Sequence, residues 1–157
     1  MNKKKEIKKK TKKEKKEETK KETKKETKKE IVRIKSELVN YFLQLLMLIK
    51  IYHWRTYSYA EHKATDELYD KLNENIDRFT EIMLGKDDLR LSMKGKKIDF
   101  IDPSTKKELK IIIDNYKILL TDKMDKYINI NKDTDLLTVR DEILADINQF
   151  LYLITFY

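Results

Sequence analysis

The chain holds two histidines, His53 and His62, and one tryptophan, Trp54, all inside the stretch HWRTYSYAEHKATDELYDKLNENIDRFTE that closes at Glu81. Asp66 follows His62 by four residues, and Glu81 follows Asp77 by four. Imidazole nitrogens and carboxylate oxygens at such intervals are the donors of a first-row divalent metal site. At about 100° of rotation per residue from His62, Asp66 lies near 40°, Asp77 near 60° and Glu81 near 100°. Leu68, Leu72, Ile76, Phe79 and Met83 fall between roughly 240° and 320° on the same wheel. The donors therefore share one face of a helix, and it is not the face that packs into a bundle. A solvated charged face is the plainer alternative, because charged residues make up 41% of the chain.

The spacing also says that one copy of the helix does not complete a site. His62 and Asp66 stand about 16 to 24 Å from Asp77 along the axis, too far to share an ion. Buried metal sites inside a single four-helix bundle take a Glu-x-x-His from each of two helices, and that pattern does not occur here. Two copies packed antiparallel across a two-fold axis would bring His62 and Asp66 of one beside Asp77 and Glu81 of the other, twice over. His53, across a short turn, could join His62. Two imidazoles and three carboxylates suit Fe(II), Mn(II) or Zn(II), and mixed nitrogen and oxygen ligation with open positions favours iron.

Four amphipathic helices must position these residues. Ile31, Ile34, Leu38, Phe42, Leu45 and Tyr52 set a three-four rhythm that predicts a helix from Ile31 to near Arg55, with Thr27 and Glu30 as a capping box. Ser58 and Glu61 form a second such box, so the next helix should begin at Tyr59 and stop at Gly85. Residues 86–101 read as a basic connection with short extended pieces around KKIDFI. Asp102 and Pro103 suit the N-cap and first position of a third helix bearing Leu109, Ile112, Ile113, Tyr116, Leu119, Leu120 and Tyr127. A fourth, from about Asp135 to the chain end, carries Leu137, Ile143, Ile147, Phe150, Leu151 and Ile154. Two glycines and one proline in 157 residues agree with an all-α chain.

Residues 1–30 are different in kind, with 16 Lys and 7 Glu against 20 basic and 21 acidic residues in 31–157. The net charge of +8 thus belongs to this arm, which has too few apolar residues to pack and is expected to be disordered or marginally helical. Any attraction to polyanions is expected to come from it. There is no cysteine, so disulfides and thiolate metal sites are excluded. No apolar leader opens the chain, and the run from Tyr41 is too short to span a bilayer. Lysine outnumbers arginine 31 to 5, a bias that suggests an AT-rich genome of a bacterium, a protist or a large DNA virus.

The segment 53–81 resembles the Dps family, the mini-ferritins of the ferritin-like superfamily. Their motif is a His-Trp pair ending the first helix, then a His, an acid four residues later, and an Asp and Glu three turns on. Here these read His53-Trp54, His62, Asp66, Asp77 and Glu81. The stretch DLLTVRDEILADINQFLYLITFY is similar to the family's last helix, with Tyr152 in place of its usual Trp. The turn between His53 and His62 is a few residues shorter than the family's and lacks its glycine, and the connection after the second helix is short. The resemblance spans roughly residues 31–157 but is specific only in 53–81.

That resemblance implies a ferritin-like four-helix bundle over residues 31–157 behind a Lys-rich arm over 1–30. It implies a ferroxidase that takes Fe(II) to Fe(III) at inter-subunit sites built from His53, His62, Asp66, Asp77 and Glu81, sequestering iron and protecting nucleic acid. The expected partners are further copies of the chain, in a two-fold dimer at least with a dodecameric cage as an open alternative, and nucleic acid as a candidate for the Lys-rich arm, but no membrane. A cytoplasmic or nucleoid-associated location, or a virion, fits that use. The competing expectation is a non-catalytic structural or packaging protein whose bundle oligomerises and whose arm binds nucleic acid or an acidic partner.

Overall fold

The helical periods seen in the sequence become four α-helices in the computed structural model, which describes residues 2–156 and their side chains from Thr23 onward. They are α1, Asn2–Arg55; α2, Tyr59–Lys86; α3, Lys106–Asp122; and α4, Thr134–Leu153. A short 3-10 turn, Met124–Lys126, follows α3. Among the described residues there is no strand, and no helix is long and apolar enough to cross a membrane. The chain is an all-α bundle of four helices.

One core unites them. Leu38, Phe42, Leu45 and Ile49 of α1 meet Leu72, Ile76, Phe79 and Met83 of α2, with Ile113 and Leu120 of α3 and Ile143, Ile147 and Phe150 of α4 closing the other side. The Phe42 and Phe79 rings pack edge to face, 5.4 Å apart at 82°. α2 lies against both α1 and α4, while α3 packs on α4. An open groove of about 640 Å³ remains between α1 and α3, lined in part by Tyr41, Gln44, Ile112 and Tyr116. Burial, and then the charge of Tyr41, push the Tyr116 phenol up to about 12.

Several expected boundaries move, each for a local reason. The backbone of the basic arm is helical and continuous with the rest of α1, so Thr27 and Glu30 lie inside a helix and cap nothing. The Thr27 hydroxyl donates to the Thr23 carbonyl, and Glu30 pairs with Arg33. Gly85 is not the stop: α2 runs on to Lys86, and the left-handed residue that ends it is Asp88, at φ 48°. Around KKIDFI the described residues form no strand.

Neither Asp102 nor Pro103 opens α3. Thr105 caps it, accepting from the Glu108 amide, while the Glu108 carboxylate accepts from the Ser104 amide. Asp102 is instead taken by Arg55 at 2.6 Å. Tyr127 is buried but lies beyond α3, after the 3-10 turn. In α4 the buried seam passes through Leu136 and Val139, leaving Leu137 half-buried.

Candidate functional site

The turn from α1 to α2 is only three residues, 56–58, and this brevity folds the last turn of α1 against the first turns of α2. Ser58 caps α2 through its hydroxyl, which accepts from the Glu61 amide. The reciprocal half of that capping box does not form. The Ser58 amide donates to the Thr56 hydroxyl, and the Glu61 side chain turns inward.

His53 and His62 are brought face to face, with ring centroids 3.8 Å apart and planes inclined by 25°. Each ring is tied to the other residue's backbone. His53 Nδ1 donates to the His62 carbonyl at 3.1 Å, and His62 Nδ1 donates to the His53 carbonyl at 3.1 Å. A carbonyl oxygen only accepts, so both Nδ1 atoms must carry a proton. In the neutral rings the lone pairs are then on Nε2, the tautomer in which an imidazole binds a metal through Nε2 while its other nitrogen is held by an outer partner. Thr65 secures His53 further, its hydroxyl lying 3.2 Å from Nδ1 while itself donating to the Glu61 carbonyl.

Asp66 completes the group on this side, its Oδ1 4.0 Å from His53 Nε2. Lys50 lies 3.8 Å from the same oxygen, with its ammonium 4.8 Å from the centre of the Tyr69 ring and 5.9 Å from that of Trp54. Trp54 is otherwise exposed, not packed against the helix end as a tryptophan in this position would be expected to be. His53 is buried, while His62 and Asp66 are half-exposed. Rings this nearly parallel do not both contain one ion at bonding distance, so as placed each Nε2 addresses its own position.

Asp77 and Glu81 are not part of this group. Both are exposed on α2, and neither has an ion pair or hydrogen bond among the described residues. Among the described residues no set of three or more His, Asp or Glu side chains is arranged to hold a metal ion within one chain. His53, His62 and Asp66, three of the five expected donors, therefore lie together, and Asp77 and Glu81 stand apart.

Behind the histidines lies a buried polar network that the donor spacing did not indicate. The Glu61 carboxylate, 9% exposed, accepts from Tyr52 Oη and Thr56 Oγ1, each at 2.8 Å, and meets Lys106 Nζ at 2.7 Å. Burial pushes the Glu61 carboxyl up, but the hydrogen bonds from Lys106, Tyr52 and Thr56 outweigh it and hold the group below its ordinary value. Burial, and then the neighbouring carboxylate, push the Tyr52 phenol up. A signal was present: on the helical wheel Glu61 and Thr65 continue the stripe of Leu68, Leu72 and Ile76.

A model of a family of unknown function, DUF5856, matches residues 53–154. The chain belongs to this family. The matched region begins at His53 and contains all five candidate donors, while most of α1 lies outside it. No curated protein and no solved structure matches the chain.

Proposed function

We propose that this member of the family is a ferritin-like metal-binding protein that takes up Fe(II) at sites shared by two copies of the chain. The reciprocal Nδ1 bonds of His53 and His62 carry the reading, because they hold both rings in the tautomer a metal ligand needs. His53 and His62 of one copy, each at its own position, and Asp66 would bind iron beside Asp77 and Glu81 of the other. The exposure of those two acids without a partner supports that role.

Iron is the substrate in this reading. Two Fe(II) each give one electron to hydrogen peroxide, which takes up two protons and leaves as two waters. The three carboxylates favour the more highly charged Fe(III) product, and the neutral imidazoles hold the ferrous ion; Mn(II) or Zn(II) suits the same donors. The outcome is sequestration of iron and protection of nucleic acid. Anaerobic Fe(II) titration followed by peroxide tests it. Saturable binding near one or two irons per chain and fast formation of Fe(III) are expected, and Asp77→Asn with Glu81→Gln should abolish the fast oxidation. Unchanged oxidation in that double variant would remove the acids from the site.

A second reading rests on Lys50, whose ammonium beside Asp66 lies where a cation would otherwise be attracted. Here the stacked histidines only pin α1 to α2, and the protein is a structural or packaging component. A lack of Fe(II) binding above buffer would favour it.

A further inference from the structure

The connection between α2 and α3 is anchored to α1 and not merely draped over it. Leu89 is buried, the Ser92 amide donates to Ser36 Oγ at 3.1 Å, and the Asn40 side chain donates to the Lys97 carbonyl at 3.2 Å. Between these anchors, MKGK makes a tight turn in which the Lys96 amide donates to the Met93 carbonyl and Gly95 takes φ +77°. Glycine enters that conformation without strain. The turn presents Lys94 and Lys96 towards the first turns of α1 that have described side chains.

A cleft of about 460 Å³ lies between them, lined by Lys25, Lys28, Lys29 and Arg33 of α1 and by Lys94 and Lys96 of the connection, with Ser92 and Val32. Among the described residues no acidic side chain lines it. Of its cations Arg33 is already paired, with Glu30 at 2.5 Å and more distantly with Glu37 at 3.9 Å, and Glu37 is held chiefly by Lys126 at 2.6 Å. Lys25, Lys28, Lys29 and Lys94 have no carboxylate partner among the described residues, and Lys96 makes no ion pair there, although its charge helps to hold the Glu37 carboxyl down. The cleft thus joins lysines of the arm to lysines of the folded body. The body is nearly neutral in sum, yet residues 89–98 carry Arg90, Lys94, Lys96 and Lys97 with no acid among them.

We infer that this cleft is a binding site for the sugar-phosphate backbone of a duplex nucleic acid. Lys25, Lys29 and Arg33 recur every four residues, about 6 Å apart along the helix, a row that follows a strand and not a single small anion. Beyond the cleft the backbone of α1 continues back to Asn2, through a stretch whose sequence is Lys-rich. The lining has no aromatic side chain on which an unpaired base could stack, so contacts go to phosphates and carry no sequence preference. The inference deepens the nucleic-acid part of the proposed function and is independent of the metal reading.

Fluorescence anisotropy of a short labelled DNA duplex, titrated with the full chain over a range of NaCl in the presence of EDTA, tests it. Each phosphate contact contributes about 0.9 to the slope of log affinity against log salt. Lys94→Gln with Lys96→Gln should therefore lower that slope by about 2, with the circular dichroism unchanged. Lys107→Gln with Lys110→Gln, on the first turns of α3 at the end of the bundle near Arg55, removes the same charge and should leave the slope as it was. Gly95→Val keeps every charge but disfavours the turn, and should weaken binding as the loop substitutions do. An equal loss in the α3 and loop variants, or no binding by the native chain, would overturn the proposal. EDTA keeps the result separate from any failure of iron binding.

Discussion

At the scale of the residue, Glu61 shows how a carboxylate that looks like a cap becomes a structural anchor. Its depressed pKa means that the charged form is favoured in the folded chain. That stability is present above the unfolded value and is lost as pH falls through the folded one. Glu61→Gln is therefore expected to cost about 1.5–3 kcal/mol at neutral pH, as a hydrogen-bonded charge would. The gap from the native chain should close as pH drops below the ordinary carboxyl value of 4.5. Urea unfolding at several pH values measures it; a gap independent of pH would show that the Glu61 charge is not what Lys106 and Tyr52 respond to. His53 differs in kind, because its backbone-tied Nδ1 fixes the ring whether or not a metal ever meets Nε2.

At the scale of the element, short connections decide which side chains meet. The three-residue turn before α2 is what stacks His53 on His62. The cap of α3 decides how Lys106 reaches Glu61, because the helix begins at the residue after Thr105. Thr105→Ala removes the acceptor for the Glu108 amide and should cost about 1 kcal/mol. For a chain of this size that is about 2–4 °C in melting temperature by circular dichroism. The sequence held this cap as Thr105-Lys-Lys-Glu108, in competition with the stronger-looking Asp102-Pro103. Asp102 lost because Arg55, at the end of α1, holds it. At the other end, Lys35 of α1 donates to the Met83 carbonyl at 3.0 Å and pairs with Asp87, so an ammonium occupies the negative end of α2.

At the scale of the whole molecule, the proposed site requires two copies and the basic cleft requires one. Mixing separates them. Chains carrying His62→Asn and chains carrying Asp77→Asn with Glu81→Gln should each fail to oxidise Fe(II) rapidly. After subunit exchange, half of the dimers are mixed and each holds one intact site of two, so about a quarter of the native activity should return. No recovery in a mixture that demonstrably exchanges subunits would rule out a shared site. DNA binding by the cleft, in contrast, should be the same in either variant.

The helices themselves were legible in the sequence, because a 3.6-residue period is a local property. The stripe from Leu68 to Met83 and the Ser58 cap place α2 within the chain unaided. Four of the five candidate donors, His62, Asp66, Asp77 and Glu81, were legible as residue types on one face of α2, and axial rise alone keeps Asp66 from Asp77. The spatial grouping was not legible. His53 reaching His62, Glu61 reaching Lys106, and Lys96 facing Lys29 all join residues whose neighbourhood depends on how helices pack and where loops are anchored. Net charge is additive along a chain, so the sequence placed the basic character in residues 1–30. Electrostatic potential depends on distance, and only the folding of the connection back onto α1 put Lys94 and Lys96 beside that row.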